Sequence, residues 1–226
     1  MNKALISELS WKPRDPEIQG IILNQSVRRE DNEKLLLARI CSKPIDTKGE
    51  HQKALGWNAT HFVNTIKKLE AQQLIRSVQV FTGAPGKQPE LLELTEKGRA
   101  ELAKLGIRPP NTGRGGAAHR YYVTRLEHIS KEDGFSTRQE YAFAGPGIVV
   151  DIYCWKEGRT IAIEVELSDP THLTERISRL QDANLVDEIR VFSDKREIID
   201  KAKRLLSMSK NAEFLTVQEF FKERRK

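Results

Sequence analysis

Three acidic residues in the second half of the chain, Asp151, Glu164 and Glu166, have the types and spacing for hard-cation chemistry. Glu164 and Glu166 stand in IAIEVELSDP, Ile161 to Pro170, which alternates apolar and polar residues like a half-buried strand. Asp151 stands in IVVDIYCW, and only KEGR separates the two segments, so they read as a hairpin closing on Glu157-Gly158 or on all four turn residues, with the same register either way. In that register Cys154/Ile161, Ile152/Ile163, Val150/Val165 and Ile148/Leu167 make one apolar face. Trp155/Thr160, Tyr153/Ala162, Asp151/Glu164 and Val149/Glu166 make the other. Like charges across a ladder repel, and burial disfavours their ionised forms, so such a cluster calls for positive charge. Mg²⁺ or Mn²⁺ supplies it through oxygen ligands, and can activate a bound water for attack on a phosphodiester. The same letters also describe the solvated edge of an ordinary amphipathic hairpin.

The elements that must position these residues lie beyond IRPPNTGRGGAA, Ile107 to Ala118, whose prolines, glycines and lack of periodicity read as a linker. After it, AAHRYYVTRLEHIS predicts a helix with Tyr122, Val123, Leu126 and Ile129 inward. Strands follow in TRQEYAF, IVVDIYCW and TIAIEVEL. A helix begins at SDPTHLTERISRLQ, with Asp169 as cap and Pro170 in its first turn, and EIRVF, KREIIDKAKRLLS and EFLTV add a strand, a helix and a strand before a final helix. The order α-β-β-β-α-β suggests a central mixed sheet with helices on both faces.

Before the linker, DNEKLLLARICSKP has helical spacing at Leu35, Leu36, Ile40 and Cys41, and DTKGEHQKALGW reads as a second short helix. NATHFVNTIKKLEAQQLI opens at Asn58 and turns Phe62, Val63, Ile66, Leu69 and Leu74 inward, leaving His61, Asn64, Lys67 and Lys68 on a wet face. IRSVQVF, the turn GAPGKQP and ELLEL form a hairpin, and Thr95 caps TEKGRAELAKL.

This first order, with LTEKGR at Leu94 to Arg99, resembles the winged-helix family over residues 31–106. The resemblance implies a third helix in the major groove of double-stranded DNA and Lys87, in the wing, against phosphate. The second order, with Asp151 before Glu164-Val165-Glu166, resembles the PD-(D/E)XK nuclease superfamily over about residues 117–217. That resemblance implies that Asp151, Glu164 and the carbonyl of Val165 hold Mg²⁺ or Mn²⁺. Glu166 stands where lysine is usual, and is expected to assist the attacking water or the metal. Arg176, Arg120 and His119 are candidate replacements for the missing positive charge, and Glu140 is a candidate fourth acid.

Composition agrees with a soluble, folded chain: 226 residues, 38% hydrophobic and 31% charged. No apolar run approaches the ~18 residues of a membrane span, and MNKALISELSWKPRD breaks off before a signal-peptide core could form, so no membrane role and a cytoplasmic location are expected. Cys41 and Cys154 are far apart and read as buried thiols. The net charge of +6 favours polyanion partners.

The fold expected is α/β, α+β overall: an N-terminal winged helix-turn-helix plus a C-terminal restriction-endonuclease-like αβββαβ domain. Residues 1–30 form an arm, 31–106 the winged helix, 107–117 the linker and 118–226 the nuclease-like domain. The expected function is a metal-dependent DNA endonuclease, with an order of domains resembling restriction enzymes of the Mrr type and a homodimer to cut both strands. The alternative is a catalytically inactive nuclease-fold DNA-binding protein that regulates transcription or plasmid or phage replication.

Overall fold

The computed structural model describes residues 31–86, 88–107, 114–144, 147–206 and 211–224; the expected arm, residues 1–30, and Lys87 lie outside them. The described chain is mixed α/β, with eight helices, a two-stranded sheet and a five-stranded sheet. The described residues divide into two compact units, residues 31–79 with 89–107 in one and the described residues of 80–88 and 114–224 in the other. Among the described residues no helix is long and apolar enough to cross a membrane.

The first unit contains α1 (Asn32–Ser42), α2 (Lys48–Leu55), α3 (Ala59–Ala71), β1 (Ile75–Gln79), β2 (Glu90–Leu94) and α4 (Glu96–Lys104). Side-chain caps start its helices. Thr47 and Glu50 form a capping box on α2, Asn58 accepts the His61 N–H at 2.8 Å on α3, and Thr95 accepts the Gly98 N–H at 3.0 Å on α4. Leu35, Leu36, Leu55, Phe62, Leu69, Leu92 and Leu102 close around one core. Gly98 explains the glycine of LTEKGR: a Cβ there would stand 2.0 Å from the Leu74 carbonyl oxygen, so α4 reaches the start of β1 only without a side chain.

One inward assignment on α3 is corrected. Val63 is 46% exposed, while Thr65 is buried and donates to the His61 carbonyl at 3.0 Å. Phe62, Ile66 and Leu69 recur at four and three residues and form the buried stripe; Val63 is turned about 100° from Phe62, off that stripe.

The second unit contains α5 (Ala117–Glu132), β3 (Ser136–Ala142), β4 (Val149–Lys156), β5 (Arg159–Val165), α6 (Thr171–Asp182), β6 (Glu188–Ser193), α7 (Arg196–Leu205), β7 (Ala212–Thr216) and α8 (Val217–Glu223). The strands lie in the order β3-β4-β5-β6-β7, with β3, β4 and β5 antiparallel and β5, β6 and β7 parallel. Leu173, Ile177 and Leu180 of α6 and Ile199 and Ala202 of α7 pack with Ala162, Ile189 and Val191. Helix α5 lies against β3, β4 and β5 and buries the four residues expected. Val80 and Phe81, expected to end the strand IRSVQVF, instead follow β1 and join this unit with the described residues of the turn: the Phe81 N–H donates to the Tyr122 hydroxyl at 2.9 Å, and the Lys222 ammonium sits over the Phe81 ring. Both cysteines are free and buried, and burial pushes both thiols up.

Candidate functional site

The β4–β5 hairpin has the expected register from Lys156↔Arg159 through Ile152↔Ile163, and there the pairing stops. The cause lies at Asp151. Its carboxylate Oδ2 accepts the backbone N–H of Val165 at 2.8 Å, a charge-assisted bond that takes the place of the next ladder contact. Opposite on β3, Glu140 adopts φ +47 and also drops out of the ladder, between Gln139↔Ile152 and Tyr141↔Val150. The strands change face across this point. Ile148 and Val150 pack with Ala162, rather than continuing the Ile152 and Cys154 face as regular alternation would require.

The distortion separates the environments of the two principal acids. Asp151 meets α5, where His119 Nε2 lies 3.2 Å from its Oδ2. Gly115 makes room for that imidazole, since a Cβ at its φ of +77 would stand 2.6 Å from the ring. Burial works against a charged His119, but the hydrogen bond and charge of Asp151, with Glu166, raise its proton affinity above the usual histidine value.

Glu164 meets α6 instead. It is 1% exposed, and Arg176 Nη1 pairs with its Oε2, while Oε1 has no hydrogen-bond partner among the described residues. Burial, then the nearby Asp151, push its carboxyl well above the usual carboxylate range, against the pull of Arg176. Glu166 follows the end of β5. Its N–H donates to the Phe192 carbonyl at 2.8 Å, and its Oε1 accepts the N–H and hydroxyl of Ser168 at 3.0 and 2.9 Å.

The remaining candidates are placed as follows. Arg120 is half-buried beside His119 on α5. Glu140 does not join the acids; its carboxylate takes the N–H of Arg114 and anchors the segment leading into α5. Helix α6 begins one residue later than expected, with Pro170 at the cap position, while Asp169 accepts the Thr171 N–H at 3.1 Å and pairs with Lys201 at 2.7 Å.

In the first unit, Asn64, Lys67 and Lys68 are exposed on α3, with Lys68 3.9 Å from Glu33. His61 is half-buried, edge-on to Trp57 with ring centroids 4.7 Å apart.

The donor set suits a small hard cation in part. Asp151 and Glu164 are oxygen donors on neighbouring strands, and the orphaned Glu164 Oε1 is a buried acceptor lacking a positive partner of its own. Mg²⁺ is ordinarily held by one or two carboxylates plus water and substrate phosphate, so two suffice. Among the described residues no group of three or more His, Cys, Asp and Glu is gathered to hold a metal ion.

A feature missed in the sequence adjoins this site. Arg114, His172, Glu175, Arg176, Arg179 and residues 147–149 line a cleft of about 240 Å³. Its signal was legible: His172, Arg176 and Arg179 recur at four and three residues, one face of a helix. No family model, curated protein or solved structure matches this chain.

Proposed function

We propose that the chain is a metal-dependent DNA endonuclease, with a winged-helix unit that grips duplex DNA and a PD-(D/E)XK-like unit that hydrolyses phosphodiesters. The observation that carries the reading is a nearly inaccessible Glu164 that feels the charge of nearby Asp151 where the β4–β5 ladder opens, one oxygen of Glu164 having no hydrogen-bond partner among the described residues. A buried carboxylate destabilises a fold unless something offsets it, and such groups concentrate at functional sites. The antiparallel β3-β4-β5 meander with parallel β6, preceded by α5 and crossed over by α6, supports the same reading.

In this reading Asp151 and Glu164 hold Mg²⁺ or Mn²⁺, which, when bound, supplies an activated water and neutralises charge on the phosphate. The Val165 N–H and His119 fix the Asp151 carboxylate in place. Glu166 spends Oε1 on Ser168 and offers its other oxygen to a proton of the attacking water. Arg176 supplies positive charge at the position where the departure from lysine removes it. On the first unit, Asn64, Lys67 and Lys68 of α3 face DNA, and exposed Val63 offers an apolar contact of the kind a thymine methyl accepts. Cutting both strands calls for two copies of the chain.

A second reading is favoured by a specific observation: both principal acids already have side-chain partners, Asp151 the imidazole of His119 and Glu164 the guanidinium of Arg176. The nuclease-like unit would then be a DNA-binding platform without activity. Incubating supercoiled plasmid with the purified chain in Mg²⁺, Mn²⁺ or EDTA separates the two. Nicking that needs the divalent ion supports the enzyme; DNA retardation with no nicking in any ion supports the platform.

A further inference from the structure

The cleft beside the acids has walls of one predominant charge. Arg114, Arg176 and Arg179 bring three guanidiniums and His172 an imidazole, against a single carboxylate, Glu175, that is paired with Arg179. Its backbone wall, residues 147–149, leads within two residues to Asp151. His172 is the second residue of α6, and the cleft runs from it along the side of that helix to Arg179. Planar guanidiniums with several donors each match the oxygens of a phosphate better than those of any neutral ligand.

Arg176 belongs to both places. One of its nitrogens holds Glu164, yet a third of its side chain is exposed and the residue lines the cleft. A guanidinium has five N–H donors, so an anion in the cleft can draw on those turned away from Glu164, and in doing so weakens its hold on that carboxylate.

We infer that this cleft binds a backbone phosphate of a DNA strand, and that Arg176 is shared between that phosphate and Glu164. The assignment of the phosphate to DNA rests on the proposed function; the anion site itself does not. Sharing has a thermodynamic consequence. Whatever removes negative charge from Glu164 frees Arg176 and tightens phosphate binding, and phosphate in the cleft reciprocally releases Glu164 for a cation. The departure from lysine at position 166 is then answered from α6, where Arg176 turns its remaining donors to the substrate phosphate.

The test uses the full chain without divalent ions, so it reads binding and not turnover. Inorganic phosphate is titrated against sodium chloride of equal ionic strength, following the arginine side-chain resonances by NMR. The expected result is saturable binding that Arg179→Gln weakens about tenfold, the scale of one charge-assisted contact. Glu164→Gln should tighten it several-fold, a gain that a misfolded variant could not produce. A short oligodeoxynucleotide with no terminal phosphate should compete with inorganic phosphate. Non-saturable shifts equal to those in chloride, binding indifferent to Arg179→Gln and Glu164→Gln, or competition only by a 5′-phosphorylated oligonucleotide would each overturn the inference. A protein that nicks DNA yet fails this titration loses only the cleft; one that passes it but never nicks loses only the nuclease.

Discussion

His119 Nε2 lies 3.2 Å from Asp151 Oδ2, so the first acid of the site is held from the helix side by an imidazole and from the sheet side by the Val165 N–H. Two donors on one carboxylate oxygen fix its position while leaving Oδ1 for another partner. Removing the imidazole should therefore loosen the acid without removing it. His119→Ala is expected to weaken Mn²⁺ binding about 10- to 100-fold, the usual effect of losing a group that orients a ligand. Calorimetric titration with Mn²⁺ checks this, and unchanged affinity would make His119 a bystander.

Arg176 and Glu164 form an ion pair in which the carboxylate is buried and the guanidinium partly exposed, and their contributions are not independent. Arg176→Ala leaves a buried carboxylate without its cation and should destabilise the second unit by about 2 kcal/mol. Adding Glu164→Gln removes the stranded charge and should recover about half of that loss. Urea unfolding of the two single variants and the double variant measures the coupling; strict additivity would show the pair to be energetically idle.

His51 gives the first unit a pH dependence of definite sign. It is 0% exposed, both ring nitrogens lack hydrogen-bond partners among the described residues, and burial, then the charge of Arg39, lower its pKa to about 3. Arg39 itself pairs with Asp46. Folded His51 stays neutral while the unfolded chain takes up a proton near pH 6.5. Its contribution is therefore whole above 6.5 and is lost as pH falls towards 3, at up to about 1.4 kcal/mol per pH unit. Urea unfolding of wild type and His51→Leu between about pH 7.5 and 4.5 should show a steeper acid loss for wild type. Parallel curves would contradict the assignment.

On α3, Lys67→Glu with Lys68→Glu should weaken DNA binding and lower the slope of log affinity against log salt by about 2. Val63→Ser should leave that slope unchanged while altering preference among sequences, since an apolar contact releases no counterions. Fluorescence anisotropy across a salt series separates the two effects. A slope unchanged in the lysine variant would move the interface away from this face.

Much of this arrangement could be read in the sequence because the signals were local. The KEGR turn fixed the pairing of Ile152 with Ile163, and Asn58 and Thr95 marked their helices by capping chemistry. What escaped reading was set by tertiary competition. The ladder ends where Asp151 takes a backbone N–H that a regular strand would have shared, and Glu140 adopts a left-handed conformation that alternation does not foresee. The same break divides the expected single cluster of acids between His119 and Arg176. Val63 shows a smaller version: hydrophobicity alone counted it inward, while the stripe through Phe62, Ile66 and Leu69 left it outside.

The central claim is hydrolysis at Asp151 and Glu164 with a divalent cation, and plasmid nicking by the variants tests it most directly. In Mn²⁺, Asp151→Ala and Glu164→Gln should each nick at least about 100-fold more slowly than wild type while retaining DNA affinity, and EDTA should abolish wild-type nicking. Nicking by the two variants at the wild-type rate, or an EDTA-resistant wild type, would contradict it.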